Sequence, residues 1–138
     1  MEELTLKYHS LFLVAALFNG CFAGATVVPQ VVFHLFHFLG ITPIPEQTIY
    51  LHVTGYLIGF FGYTYYLASQ DFPRHSIMIE YGVSAKIMVN FIMLFHVFFL
   101  KTISWQICLL TCWDLIFAVM FKMALLDLYE VQKLKRTD

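Results

Sequence analysis

The chain has 138 residues, 60% of them hydrophobic and only 12% charged, with a formal net charge of −1; its mean hydropathy of +0.75 lies far outside the balance of a water-soluble domain. Four bilayer-crossing helices of roughly 20 residues each already use most of this length, which excludes a separate soluble catalytic domain. The eight basic residues are scattered rather than clustered, which excludes a nucleic-acid partner tracked through its phosphates.

Apolar runs read against charges predict an all-α fold: a single transmembrane domain over residues 1–138, built as a four-helix bundle. Runs such as Ile87 to Leu94 lack the two-residue alternation of a transmembrane β-barrel. The first span is expected at about Leu11 to Val28 and ends at Pro29. Pro43 and Pro45 punctuate the following loop, in which Val31 to Gly40 is too short to cross and is expected as a helical turn or two in the interface, with His34 and His37 near the headgroups. The second span runs from about Ile49 to Ala68. A polar turn, Asp71 to His75, follows it with a helix-stopping Pro73, and the third span covers about Ile77 to Leu100. Lys101 to Ser104 connects it to the fourth span, about Trp105 to Leu126, with Ser104 as its cap. The tail from Asp127 to Asp138 is expected to be a fraying helical extension that serves orientation.

Orientation follows from Lys and Arg in the short flanks. Lys7, Arg74, Lys133, Lys135 and Arg136 stand on one side and only Lys101 on the other, so both termini are expected in the cytoplasm. A signal-peptide reading of Leu11 to Phe18, with Ala23-Gly24-Ala25 as cleavage site, is opposed by Glu2 and Glu3 and by an apolar stretch that runs on through Val27 and Val28.

A charge near the middle of a span costs on the order of 2.5–3.5 kcal/mol on insertion scales, and two residues meet that description. Lys86 lies near the centre of the third span and Asp114 near the centre of the fourth; in antiparallel helices they are expected to face each other. Asn90 is one turn from Lys86 on the same face. Asn19, in mid-span one, shares a face with Ala23, Thr26 and Gln30, so Asn19, Lys86, Asn90 and Asp114 are expected to form one mid-membrane polar network. Such a network either binds a small ligand or relays protons, or it is an ion pair that specifies which helices are neighbours. Glu80 and Lys122, near the inner ends of spans three and four, are expected to reach the headgroups, or each other.

Gly55, Gly59 and Gly62 align on one face of the second span as a helix-packing seam, and Gly20 with Gly24 on the first span repeats the spacing that would meet it. His34, His37, His52 and His96 all map to the outer half and are the candidates for a metal or haem site, together with Cys108 and Cys112; these ligands do not converge on one line, so no metal is assigned. Cys21, Cys108 and Cys112 do not form a redox signature. No nucleophile elbow, zincin helix, P-loop or dinucleotide fingerprint occurs.

The run Gly55 to Tyr65, then Asp71-Phe72-Pro73-Arg74-His75, Gly82-Val83-Ser84-Ala85-Lys86 and Asp114 resembles a family of small four-helix bacterial inner-membrane proteins. The family pattern has an aromatic-Asn pair in helix one, matched here by Phe18-Asn19. Thr64 replaces one of its glycines, Phe72 intervenes before the proline, and Trp113 stands where Asn precedes the last-span Asp. The resemblance implies a bacterial inner-membrane location and singles out Asn19, Lys86 and Asp114, but it implies no activity. By helix count the chain is also similar to DoxX-like membrane subunits, which accompany redox enzymes. The reading from sequence is therefore an accessory or small-ligand-binding membrane subunit, more a binding protein than an enzyme. Its partners are the lipid bilayer and a membrane protein or a second copy. An oligomeric small-solute or proton-linked transporter, and a redox subunit holding haem, metal or quinone near the outer leaflet, are the alternatives.

Overall fold

A computed structural model describes residues 1–44 and 47–135; Pro45, Arg136 and the end of the tail lie outside them. Among the described residues there are helices and short connections and no strand, so the chain is all-α. In chain order it forms α1 (Glu2–Val27), α2 (Pro29–Leu39), α3 (Thr48–Gln70), α4 (Phe72–Phe95) and α5 (Ile107–Leu134), and a π-helical turn, His96–Leu100, prolongs α4.

Three of these helices are long and apolar enough to cross a membrane: α1, α4 with its π turn, and α5. This is a membrane protein by composition and length. The second expected span, now α3, has the length at 23 residues but does not join that set. Its five tyrosines and three glycines hold its hydropathy down, although it contains no Asp, Glu, Lys or Arg.

The prolines that read as stops follow helix ends, at Val27 and Gln70, and are also starts. Pro29 and Pro73 sit in the first turns of α2 and α4, where a missing N–H is no loss and the fixed φ suits the helix. The polar turn after α3 shrinks to one residue, Asp71, whose carboxylate accepts from the Arg74 N–H at 3.3 Å. The Thr5 hydroxyl accepts from the Phe72 N–H, also at 3.3 Å, so α1 helps to cap α4. Likewise α2 is a full helix of 11 residues rather than a turn or two, and Gly40 ends it at φ +68, a conformation that glycine adopts without strain.

Ser104 does not cap the last helix, which begins at Ile107. It is occupied in tying two loops: its hydroxyl accepts from the Thr42 N–H and its N–H donates to the Thr42 carbonyl, both at 2.8 Å. The last helix also runs past Leu126 to Leu134. The first turns of the segment read as a fraying tail are docked on α1, because Asp127 accepts from Lys7 and, at 2.6 Å, from the Tyr8 hydroxyl, while Leu128 is fully buried.

Two apolar cores hold the helices. The larger lies toward the termini and draws on α1, α3, α4 and α5, including Phe12, Tyr65, Phe72, Ile79, Phe117, Phe121 and Leu128. Its rings interlock: Phe12–Phe72, Phe12–Phe121 and Tyr65–Phe121 centroids lie 4.9, 5.2 and 4.8 Å apart. The smaller, at the far end, joins Val32 and Phe36 of α2 to Ile41 and Leu51, with Ile107 and Leu110 of α5 packed on it.

Candidate functional site

The polar residues occupy the stretch between these cores. On α5 the larger core begins at Phe117 and the smaller core takes Ile107 and Leu110; Asp114 falls between. On α1 the core residues Leu4, Phe12 and Ala15 stop short of Asn19, and on α4 Ile79 and Val83 stop short of Lys86 and Asn90. Neither cluster claims this layer, so each polar side chain there must find its own partner.

Lys86 and Asp114 are such partners. The ammonium donates to Asp114 Oδ1 and forms an ion pair with it. Lys86 keeps 7% of its side-chain exposure and Asp114 27%. Two rings add to the lysine's surroundings: its Nζ lies 5.6 Å from the centroid of Tyr65 and 5.8 Å from that of Phe117, within the range of cation–π attraction. The sequence reading missed both rings. The signal for Tyr65 was Gly82: a Cβ there would lie 2.7 Å from the Tyr65 hydroxyl oxygen, so glycine on α4 admits the ring one turn below Lys86.

The other two expected members are placed differently. Asn90 is buried, and its amide donates at 3.0 Å to the Lys86 carbonyl on its own helix, bracing α4 rather than the ammonium. Asn19 is buried and donates to the Ile58 carbonyl of α3 at 3.4 Å. It joins α1 to α3, and no hydrogen bond among the described residues links it to Lys86 or Asp114. The expected single network of four is thus one ion pair with a backbone brace, and a separate amide contact.

That amide contact belongs to the α1–α3 seam. An added Cβ at Gly55 would lie 2.7 Å from Thr26 Cβ, at Gly59 3.2 Å from Ala23 Cβ, and at Gly62 3.2 Å from both the Ala16 carbonyl oxygen and Asn19 Cβ. The glycines of α3 therefore receive Ala16, Asn19, Ala23 and Thr26. Gly20 and Gly24 do not line this groove with their side-chain positions, since a Cβ at either meets nothing within 4 Å. Successive residues of a helix are turned by about 100 degrees, which carries Gly20 and Gly24 off the shape-matched face, the one with alanine and threonine.

Glu80 accepts from the Tyr129 hydroxyl, not from Lys122, which is exposed; Tyr129 is the residue of α5 that meets this turn of α4. His34, His37 and His52 are exposed, and His96 pairs with the Thr102 hydroxyl at 2.7 Å. Among the described residues no three His, Cys, Asp or Glu side chains are grouped to hold a metal ion. Cys21, Cys108 and Cys112 are free thiols. Comparison of the chain with models of protein families, with curated proteins and with solved structures finds no match.

Proposed function

We propose that this membrane protein is a small accessory subunit that binds a small amphiphile or lipid at a mid-bilayer polar centre formed by Lys86 and Asp114. In this reading α3 crosses the bilayer beside α1, the bundle has four spans, and both termini face the cytoplasm of a bacterium. The observation that carries it is a buried ammonium paired with a carboxylate that is still partly open, in the layer between two apolar cores. A pair needed only for helix pairing is best enclosed on all sides, because a carboxylate oxygen left facing lipid is desolvated without a partner. The close α1–α3 seam supports the four-span reading: glycine contacts give van der Waals packing where lipid supplies no hydrophobic drive between helices. It also leaves the tyrosine-rich helix anchored along most of its length.

The test is a set of three variants with native mass spectrometry of protein extracted from its own membranes. Lys86→Met strands a carboxylate in the bilayer and is expected to cost about 3–5 kcal/mol of stability, while Lys86→Met with Asp114→Leu removes both charges and restores folding. The wild type is expected to carry a small lipid-like mass that the folded double variant lacks. Equal occupancy in the two proteins, or a bare wild type, would show that the pair serves assembly alone.

A further inference from the structure

Asp114 stands in the middle of the interior stripe of α5, aligned at helical spacing with Phe117, Ala118, Phe121 and Leu125, all of them buried. Its own side chain nevertheless stays 27% exposed. The same change occurs on the facing helix. Along the interior stripe of α4, Ile79, Val83, Lys86 and Asn90 are buried, but the next two members, Met93 and Val97, are only half-buried, and no residue from Phe91 to Leu100 is buried. Thr111, one turn beyond Asp114 on α5, is half-buried too.

The cause lies in the smaller core, which unites α2, the loop after it, α3 and α5 but takes no residue from α4. The far half of α4 is left standing away from that core. Toward the termini the situation reverses, since Phe12, Tyr65, Ile79 and Phe121 are essentially without exposure. The side chains beside the pair are therefore less enclosed on its far side than on its terminal side. Of the Asp114 oxygens, Oδ1 takes the Lys86 ammonium and Oδ2 accepts no hydrogen bond among the described residues. Nor is Oδ2 sealed in, for the enclosed unpaired side-chain oxygen among those residues is Gln106 Oε1.

We infer that the ligand enters between the far half of α4 and α5 and is a lipid-soluble molecule with a neutral hydroxyl head, which donates to Asp114 Oδ2 while its apolar body lies along Met93, Val97 and Thr111. This deepens the reading of the pair as a binding centre and rests on it. The head must donate, because the free oxygen only accepts. It must be neutral, because Lys86 already balances the carboxylate and a further charge in the hydrocarbon layer would be uncompensated.

The experiment uses the full chain in lipid nanodiscs with a diazirine-bearing long-chain alcohol and, as control, its methyl ether, with adducts mapped by mass spectrometry. The ether cannot donate the hydrogen bond that a carboxylate oxygen accepts, so the alcohol is expected to label Met93, Val97 and Thr111 at least roughly tenfold more than the ether. Lipid-facing Phe91 and Phe98 are expected to be labelled equally by both. The folded double variant Lys86→Met with Asp114→Leu is expected to lose the difference. Competition by a diacylglycerol would assign an aliphatic hydroxyl and competition by a hydroquinone a ring hydroxyl, and both uphold a donor head. Equal labelling of the stripe by alcohol and ether, or adducts confined to the terminal half, would overturn the inference. If native mass spectrometry meanwhile still shows a mass dependent on the pair, the binding centre stands and only the entry route and head group fall.

Discussion

Gly55 and Lys86 represent two opposite demands on a single residue. At Gly55 the demand is for the absence of atoms, since a Cβ would fall 2.7 Å from Thr26 Cβ and closer still to the Thr26 hydroxyl. Gly55→Ala is expected to destabilise the protein by about 1–3 kcal/mol through overpacking. Thr26→Gly in the same chain removes the obstructing atoms and is expected to recover most of that loss, read as the midpoint of denaturant unfolding in mixed micelles. At Lys86 the demand is for a partner, and the partner is Asp114. Both positions were legible from sequence, because a central charge and a glycine at helical spacing each need an explanation in a membrane. Tyr65 and Phe117 were not legible. Gly82 leaves room for a ring without naming it, and nothing else in a chain with fifteen phenylalanines and eight tyrosines distinguishes the two rings that lie against an ammonium from those that lie against other rings.

Among the elements, α1 shows two faces with different consequences. Its alanine and threonine face is filled by α3, whereas Gly20 and Gly24 look onto open space. Alanine at either of these is therefore expected to be neutral or to stabilise by up to about 1 kcal/mol, through the better helix propensity of alanine. An unfolding series that found either as costly as Gly55→Ala would mean that a further helix covers that face. The start of α4 depends instead on the Asp71 side chain that holds the Arg74 N–H. Asp71→Ala is expected to cost about 1 kcal/mol and Asp71→Asn much less, as thermal unfolding of the two would show. Helix existence came through the sequence; helix ends did not. Pro29 and Pro73 each follow the end of one helix and lie in the first turn of the next, and the second of these depends on the packing of Val32 and Phe72.

For the whole molecule, all four long helices share the core of the terminal half, whereas at the far end α4 takes no part in the smaller core. Lys7, Tyr8 and Asp127 join α1 to α5, and His9 contacts the Ser69 carbonyl at 2.8 Å, so the terminal end is tied at its rim as well as filled with rings. With four spans, tags on the two termini should be reached from the same side of the membrane. A fluorescent-protein and phosphatase fusion pair on each terminus checks this: cytoplasmic fluorescence at both is the expected result, and opposite outcomes at the two ends would mean that α3 does not cross.

Composition, together with the lack of two-residue alternation, determined that this is a helical membrane protein, because a backbone in lipid is satisfied only in helices or in a closed barrel. The spacing of Lys86, Asp114 and the α3 glycines also marked the positions where lipid could not be the neighbour. Tertiary structure decided the rest. It decided that Asn19 serves the α1–α3 seam rather than the ion pair, that α2 builds a second core, and that α4 is left out of it. The physical reason is that periodicity reports which face of a helix is buried, whereas the partner of that face depends on how helices far apart in the chain share a limited interior.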